Sequence, residues 1–284
     1  MKLIKPEFKI IEPTGYTIDD IYKSIELAGR VSHKSEDKIT ETSAKDFVGR
    51  MLNMKHLATC EFGTVYLYAH SMYDLDIEKY RQNPYSKAVW KNNGHYISTN
   101  YRVLVENNWL DDLKYLCKLT EYHHKRYTVK FICDRAIANE IVRHRKFSFL
   151  QESTRYCRYS SDKFNGELTF IQPCWLNEEV LKLYGSYHTV VRDKSSESIF
   201  IANLNNAERD YIDLVKSGWK AEEARNILPL SLKTELYMCG FAEDWKKFFE
   251  LRSKKYGVGN PHPQADELAT PLYEEFIKRG YINE

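Results

Sequence analysis

The sequence predicts an α+β fold, in which helices and strands follow each other in an irregular order. Short runs rich in β-branched and aromatic residues, such as 64–69 and 127–133, indicate strands. The segments 17–29 and 242–252 carry apolar residues at helical spacing. Because these elements do not alternate strictly, a doubly wound parallel sheet is disfavoured. The chain also lacks the Gly-x-Gly-x-x-Gly and Walker sequences of Rossmann and P-loop proteins.

Composition indicates a globular protein with no general attraction to nucleic acids or membranes. The 284 residues are 43% hydrophobic and 29% charged, with a net charge of +2. No apolar run reaches the roughly 18 residues that a membrane span needs, and the N-terminal residues lack the apolar segment of a signal peptide. The six cysteines are scattered, with no C-x-x-C pair. We therefore expect reduced thiols, a cytoplasmic protein and no bound metal.

The N-terminal part is predicted to contain a strand, two helices and a second strand. Leu3–Ile11 alternates loosely between apolar and charged residues, which is typical of an edge strand. Thr17 is a candidate N-cap for a helix that ends near residue 29, and Ser43 is a candidate cap for the next helix. The apolar face of that second helix is formed by Phe47, Met51 and Met54. A strand over Thr64–Ala69 follows.

Residues 73–125 are predicted to be an elaboration of the domain. They contain a short helical piece, a polar turn at 91–94 and two segments with tryptophan. His123 and His124 would point to opposite faces of a strand, so they are poor joint metal ligands and are predicted to lie at the surface. A strand over 127–133 then runs directly into a helix whose apolar residues lie between Ala136 and Val142.

The C-terminal half is predicted to be mainly helical with two strands. Residues 168–173 indicate a short strand, and 178–218 a long, mostly helical region. A short helix from residue 221 runs into the Pro229 stop, and a strand over 231–238 follows. The helix over 242–252 is amphipathic. Its buried face is predicted to hold Trp245, Phe248 and Phe249.

A dense group of cationic and hydroxyl side chains follows the predicted helix at 136–142. Arg143, His144 and Arg145 stand together, and Ser153, Thr154 and Arg155 come after seven further residues. Arginine presents a planar fork of donors that matches phosphate oxygens two at a time. Any one of these cations alone could simply stabilise a helix C-terminus. Their fixed spacing, with hydroxyls and a carboxamide between them, instead predicts a site for phosphorylated ligands.

This spacing of Arg-His-Arg, seven residues and Ser resembles the signature of the flavin-dependent thymidylate synthases. The turn Arg30–Ser32, the pair His56 and Glu61, and Leu251-Arg252 are similar to further sequences of that family. The resemblance implies one domain over 1–284, built as an antiparallel sheet wrapped by helices. It also implies a homotetramer with sites shared between subunits. The activity it implies is reductive methylation of dUMP to dTMP, with methylenetetrahydrofolate as carbon donor and FAD, reduced by NADPH, as hydride carrier.

The resemblance also implies roles for individual side chains. The FAD contacts are expected from Thr64, Arg143, His144, Arg145, Gln151 and Lys247. The dUMP contacts are expected from Glu140, Arg143, Gln151, Ser153, Thr154, Arg155, Arg225 and Arg252. Among these, Arg252 is expected to be catalytic, because a guanidinium beside the uracil ring stabilises negative charge spread through it. The chain departs from the family's pattern at Phe62, where a histidine near the flavin is usual, and at Phe241 and Glu243, where an asparagine and an arginine are usual.

Two other functions fit parts of the sequence. Gln172-Pro173-Cys174 is faintly similar to the Pro-Cys nucleophile of a cysteine-dependent thymidylate synthase, although a lone cysteine is most often a small buried residue. Alternatively, the arginines of 143–159, with interleaved Phe147, Phe149, Tyr156 and Tyr159, could form an RNA-binding surface by stacking on bases. The low net charge disfavours this second alternative.

Overall fold

The computed structural model describes residues 1–71, 73–176 and 195–283, and we number its elements in chain order. The strands are β1 (Lys2–Ile4), β2 (Glu7–Ile11), β3 (Thr64–Ala69), β4 (Lys87–Lys91), β5 (Gly94–Asn100), β6 (Arg126–Asp134), β7 (Ser148–Gln151), β8 (Thr169–Ile171) and β9 (Lys233–Phe241). The helices are α1 (Ile18–Gly29), α2 (Ser43–Asn53), α3 (Glu78–Gln82), α4 (Tyr101–Glu106), α5 (Arg135–Ile141), α6 (Ser196–Lys216), α7 (Ala221–Ala224), α8 (Ala242–Arg252) and α9 (Pro263–Lys278).

The central sheet of the fold is antiparallel and has four strands in the order β2-β6-β9-β7. The strands β6 and β9 pair along their whole lengths, from Arg126 opposite Phe241 to Asp134 opposite Lys233. A second antiparallel sheet has the order β3-β5-β4, and β1 pairs with β8 in parallel. The fold is therefore α+β, with antiparallel sheets wrapped by helices, as predicted.

Helices cover the two faces of the central sheet differently. Leu236 and Met238 of β9 are fully buried against α5, α8 and α9, whose core includes Trp245, Phe248 and Phe276. Since side chains alternate along a strand, the intervening Tyr237 and Cys239 face the other side. There they pack against α1, the turn after it and Phe62. On the first of these faces the end of α8 meets the end of α5 through Arg252, and α5 leads into β7.

Most of the predicted elements are found with similar bounds. The helix after Thr17 has both hydrogen bonds of a capping box, and β3 and α8 span the predicted residues. Trp245, Phe248 and Phe249 are at most 2% exposed, as predicted for their helix face. The long helical region is observed as α6, and its predicted beginning at 178 lies outside the described residues. The helix α9 was not among the predicted elements.

Four local predictions are wrong. The N-terminal segment forms two strands that pair with different partners, because Pro6 lies between them and has no N–H to donate. Ser43 is the first helical residue of α2, and its hydroxyl binds Glu26 instead of capping the helix. Met54 lies beyond α2 and is 58% exposed. His123 is buried, because its ring hydrogen-bonds Thr120 and the carbonyl of Leu67.

Candidate active site

The signature residues lie where α5 passes into β7. The helix begins at its N-cap Asp134, whose carboxylate accepts a hydrogen bond from the backbone N–H of Ile137, and ends at Ile141. Arg143, His144 and Arg145 occupy the two tight turns that follow, and β7 then pairs antiparallel with β9. Arg143 and Arg145 are exposed, whereas His144 is half-buried. The tight connection thus directs three cationic or titratable side chains outward from one edge of the sheet.

Arg252 binds the end of α5 with all three of its nitrogens. Its Nε donates to Nε2 of His144 at 3.1 Å, and Nη2 donates to the backbone carbonyl of Glu140 at 3.1 Å. Its Nη1 forms an ion pair with the Glu140 carboxylate. Burial, together with the neighbouring Arg252 guanidinium, lowers the pKa of His144 to about 4. His144 is therefore neutral at physiological pH, with Nε2 as the acceptor and its proton on Nδ1.

A second group of site residues surrounds the turn after β7. The Nη1 of Arg225 donates to Oγ1 of Thr154 at 3.3 Å, across 71 residues of sequence. The backbone N–H of Ser153 donates to the carbonyl of Ser32 at 3.1 Å, which attaches the turn Arg30–Ser32 to the site. Arg155 and Arg225 are both exposed, and the nearest acid to Arg155 is Glu222 at 3.8 Å. Two exposed guanidinium groups thus accompany the half-buried Ser153 and the buried Thr154, a set of donors that suits a phosphate group.

A network of buried ion pairs lies next to the turn that carries Ser153 and Thr154. Lys233 binds Glu152 at 2.9 Å and Glu235 at 2.7 Å, while Lys34 also binds Glu235 at 2.7 Å. Burial disfavours ionisation of Glu235, but the ammonium groups of Lys233 and Lys34 outweigh it and hold the pKa of that carboxyl below its usual range. Because buried charges are costly unless paired, the network fixes the backbone that presents Ser153.

A third group lies at the other end of β7, around Arg145. Arg145, Ser148 and Lys247 line an open cleft of about 340 Å³ between β7 and the start of α8. Neither Arg145 nor Lys247 has an ion pair or hydrogen bond among the described residues. Two cations without an ion pair beside an open cleft make this a candidate site for an anionic ligand.

Two predicted site residues lie apart from these groups. The side chain of Gln151 points to β9, where its Nε2 donates to Oγ1 of Thr234 at 3.1 Å. Thr64 lines a different cavity of about 170 Å³, together with Tyr66, Tyr127 and Tyr237. Its hydroxyl accepts a hydrogen bond from Arg126 at 3.2 Å, and Arg126 borders both cavities.

The structure therefore places nine of the twelve predicted residues in three clusters, and the exposed Arg143, like Thr64 and Gln151, belongs to none of them. One contains Glu140, His144 and Arg252, the second contains Ser153, Thr154, Arg155 and Arg225, and the third contains Arg145 and Lys247. Sequence reasoning missed Lys233, Glu152 and Arg126. The period of two along β9 could have indicated that Lys233 and Glu235 share a face. No sequence pattern indicated Arg126 as a residue shared by two cavities.

The two alternative functions find little support in the geometry. Burial raises the pKa of the Cys174 thiol, so its thiolate, the nucleophilic form, is disfavoured. Of the four aromatic residues in 143–159, Phe147 and Tyr159 are at most 8% exposed, and Phe149 packs against the core. The fourth, Tyr156, is 51% exposed with its ring stacked on His33, so the segment offers at most one ring for stacking on bases. Within the described ranges, no group of three His, Cys, Asp or Glu residues is arranged to hold a metal ion.

The fold and the site define an α+β protein with an anion-binding surface on both ends of one short strand. The chain belongs to the family described as thymidylate synthase complementing protein, whose sequence profile matches residues 79–279. A flavin-dependent thymidylate synthase of Pyrococcus furiosus is 28% identical over 196 residues, which cover 66% of this chain and 71% of that protein.

Further relatives carry the same description. A probable flavin-dependent thymidylate synthase of Paramecium bursaria Chlorella virus 1 is 29% identical, over 53% of this chain and 66% of that protein. The Synechocystis flavin-dependent thymidylate synthase is also 29% identical, over 44% of this chain and 55% of that protein. The matched region thus spans little more than half of the Synechocystis relative. A UMP/dUMP methylase of Streptomyces cacaoi superposes with a TM-score of 0.46 at 16% identity, covering 98% of this chain and 92% of that one, which is too low to define a fold relationship.

The described helices include none suited to crossing a bilayer. The longest, α6, has 21 residues but carries charged side chains along its length.

Proposed function

We propose that this chain converts dUMP to dTMP by reductive methylation. In this proposal methylenetetrahydrofolate supplies the carbon, and FAD bound to the protein is reduced by NADPH. Membership of the family and its flavin-dependent relatives support the use of a flavin. NADPH as reductant and methylenetetrahydrofolate as carbon donor belong to the proposal because the resemblance of the signature residues to the family implies them.

The single observation that carries the proposal is the position of two anion-binding clusters at the two ends of β7. Ser148 and Gln151, the ends of the strand, are three residues apart, which corresponds to about 10 Å. Arg145 and Lys247 lie at the first end, and Ser153, Thr154, Arg155 and Arg225 lie beyond the second. Two phosphorylated ligands can therefore bind side by side along one strand, as a nucleotide and a dinucleotide cofactor require.

We assign dUMP to the second end. Arg155 and Arg225 would bind the phosphate with bidentate hydrogen bonds, and Ser153 and Thr154 would complete its coordination. Arg252 would contact the uracil ring, with Glu140 and His144 fixing its orientation. A fixed guanidinium stabilises negative charge that develops on the ring without having to reorganise during the reaction.

We assign FAD to the first end, with Arg145 and Lys247 on its diphosphate and Arg143 and His144 closer to the ring system. The cofactor, when bound, supplies the hydride chemistry. The protein's contribution is to bind the flavin and the nucleotide next to each other and to exclude water between them. Thr64 and Gln151 would contact FAD only after they are released from their present hydrogen bonds. Thr64 is bound by Arg126, and Gln151 is bound to Thr234.

We propose a homotetramer in which subunits complete each other's sites, as the resemblance to the family implies. Leu230 is 62% exposed, and Leu251, next to Arg252 in the chain, is 57% exposed, so both are available for contact with a partner subunit. Native mass spectrometry tests the assembly, and a monomer at micromolar concentration would contradict it.

All six cysteines are free thiols, which suits the reducing cytoplasm.

The reaction is tested with purified protein, FAD, NADPH, methylenetetrahydrofolate and dUMP, by measuring dTMP with mass spectrometry. Formation of dTMP that requires each component supports the proposal. Arg145→Ala is expected to lower FAD occupancy, measured from the flavin absorbance of dialysed protein. A wild-type protein that binds no FAD by calorimetry and forms no dTMP would refute it.

A further inference from the structure

The 73–125 segment forms one wall of the cleft around Arg145. Four of its residues line the cleft opposite Ser148, namely Pro84, Tyr85, Lys87 and Asn100. Lys87 stands at the start of β4, in the sheet formed by β3, β5 and β4, so its position is set by backbone pairing with Ser98. The segment therefore contributes to the cleft, because β4, which belongs to a second sheet, places Lys87 in its wall.

The cleft carries a strong excess of positive charge. Five cationic and two acidic side chains line it, a formal charge of +3. The donors of Arg126 go to neutral acceptors, the hydroxyl of Thr64 and the carbonyls of Glu61 and Thr99. Arg145 and Lys247 form no ion pair in the described part of the chain, although Lys247, with Lys87 and Lys146, favours the ionised form of Asp244, the second acid of the cleft. Such a cleft suits a ligand with more than one negative charge.

One of the two acids, Glu243, is held entirely by the 73–125 segment. Lys87 donates to its Oε2 at 2.9 Å, and His124 Nδ1 donates to its Oε1 at 2.6 Å. The hydrogen bond from His124, reinforced by that from Lys87, lowers the pKa of Glu243 to about 2. The Lys87 ammonium also lies 4.7 Å from the ring centre of Phe241. Glu243 therefore stays ionised at neutral pH. The groups that bind its carboxylate, Lys87 and His124, belong to the 73–125 segment and not to α8.

We propose that Lys87 is a positioning residue of the flavin site, which neutralises Glu243 so that Arg145 and Lys247 can bind the diphosphate of the dinucleotide. This inference rests on the proposed function, in which the cleft binds FAD. It explains how the chain tolerates an acid at residue 243 beside an anionic ligand. An uncompensated carboxylate within several ångströms of a diphosphate would repel it, whereas an ion-paired one has little net field.

The test is a double-mutant cycle on FAD affinity, measured by calorimetry with the full chain. Lys87→Met keeps the aliphatic stem over Phe241 and removes the charge, and it is expected to weaken FAD binding about tenfold. Glu243→Gln should bind FAD at least as tightly as the wild type. The double variant should recover the affinity of Glu243→Gln, because the charge that Lys87 neutralises is then absent. Lys87→Arg should retain wild-type affinity.

Controls separate this inference from the proposed function. Lys79→Met removes another lysine–carboxylate pair of the same segment, with Asp112 at 2.7 Å and away from the cleft, so FAD affinity should not change. If wild-type protein binds no FAD, the proposed function itself fails. If it binds FAD and Lys87→Met binds equally well, only the inference fails. A double variant as weak as Lys87→Met also overturns it. Should Lys87→Met unfold, as judged by thermal melting, Glu243→Lys decides, since it must bind FAD no more weakly than wild type.

Discussion

Arg252 and His144 are 108 residues apart in the chain, and the Nε of Arg252 donates a hydrogen bond of 3.1 Å to Nε2 of His144. The contact joins the C-terminal ends of α8 and α5, where the helix dipoles favour a cation. The same guanidinium forms an ion pair with Glu140. Arg252 thus has a structural role at the junction in addition to the catalytic role that we propose, and experiments must separate the two.

Arg252→Ala is expected to reduce dTMP formation by orders of magnitude while FAD binding and NADPH-dependent flavin reduction remain measurable. Loss of the hydrogen bonds to Glu140 should also lower the free energy of unfolding by about 1 to 3 kcal/mol. Arg252→Lys should rescue little turnover, because a point charge on a flexible stem does not reproduce the planar fork. The measurements are anaerobic stopped-flow reduction, a dTMP assay and urea denaturation.

Glu140→Gln provides the matched control for Arg252. It removes the ionic partner but leaves the guanidinium in place, so stability should fall by a similar amount. Arg252 keeps its hydrogen bonds to His144 and to the Glu140 carbonyl in this variant, so dTMP formation should fall much less than in Arg252→Ala. An equal fall would show that the intact junction, including the orientation that Glu140 gives Arg252, matters as much as the guanidinium itself.

His144 is expected to make the protein less stable in mild acid. Burial and Arg252 lower its pKa from the usual 6.5 to about 4 in the folded state. Between these two values the unfolded chain binds a proton that the folded chain does not, so the free energy of unfolding falls as the pH falls through this window. Urea denaturation between pH 4 and 7 measures the slope. His144→Gln should flatten it, and an unchanged slope in that variant would show that His144 is not responsible.

Arg155 and Arg225 are expected to recognise the phosphate of dUMP. Alanine at either position should weaken dUMP binding by roughly ten- to a hundredfold, since a hydrogen bond to a charged group contributes about 1.5 to 3 kcal/mol. Binding of deoxyuridine, which has no phosphate, should hardly change. Arg158→Ala is the control, because Arg158 is exposed and its Nε binds only the nearby Ser160 hydroxyl in the described structure. Equal losses for dUMP and deoxyuridine would contradict the assignment.

Neither Ser153 nor Cys174 is expected to act as a nucleophile. Ser153→Ala should weaken dUMP binding yet retain turnover at saturating substrate, because it removes a hydrogen bond and not the reacting group. Cys174→Ala should retain most dTMP formation, in keeping with the raised pKa of its thiol. Intact-protein mass spectrometry after quenching is the decisive measurement, and a covalent dUMP adduct at either residue would show that the prediction is wrong.

Local pattern was sufficient to predict several elements and the signature itself. The period of apolar residues in Ala242–Arg252 predicted the helix and its buried face, because burial of one stripe follows from helical geometry. Runs of β-branched and aromatic residues located β3 and β6 in the same way. The spacing of Arg143, His144, Arg145 and Ser153 predicts a phosphorylated ligand from the sequence alone.

Only the tertiary structure decided which of these residues meet. The sequence placed His123 at the surface, yet the ring is buried because the carbonyl of Leu67, on β3, accepts its hydrogen bond. It gave no sign that Lys87 neutralises Glu243 or that Arg252 holds His144. A residue's periodicity defines the face that it occupies, whereas its partner depends on how distant helices and sheets pack. Contacts across 108 or 156 residues arise from that packing alone, and they set the charge and the pKa of the groups in the site.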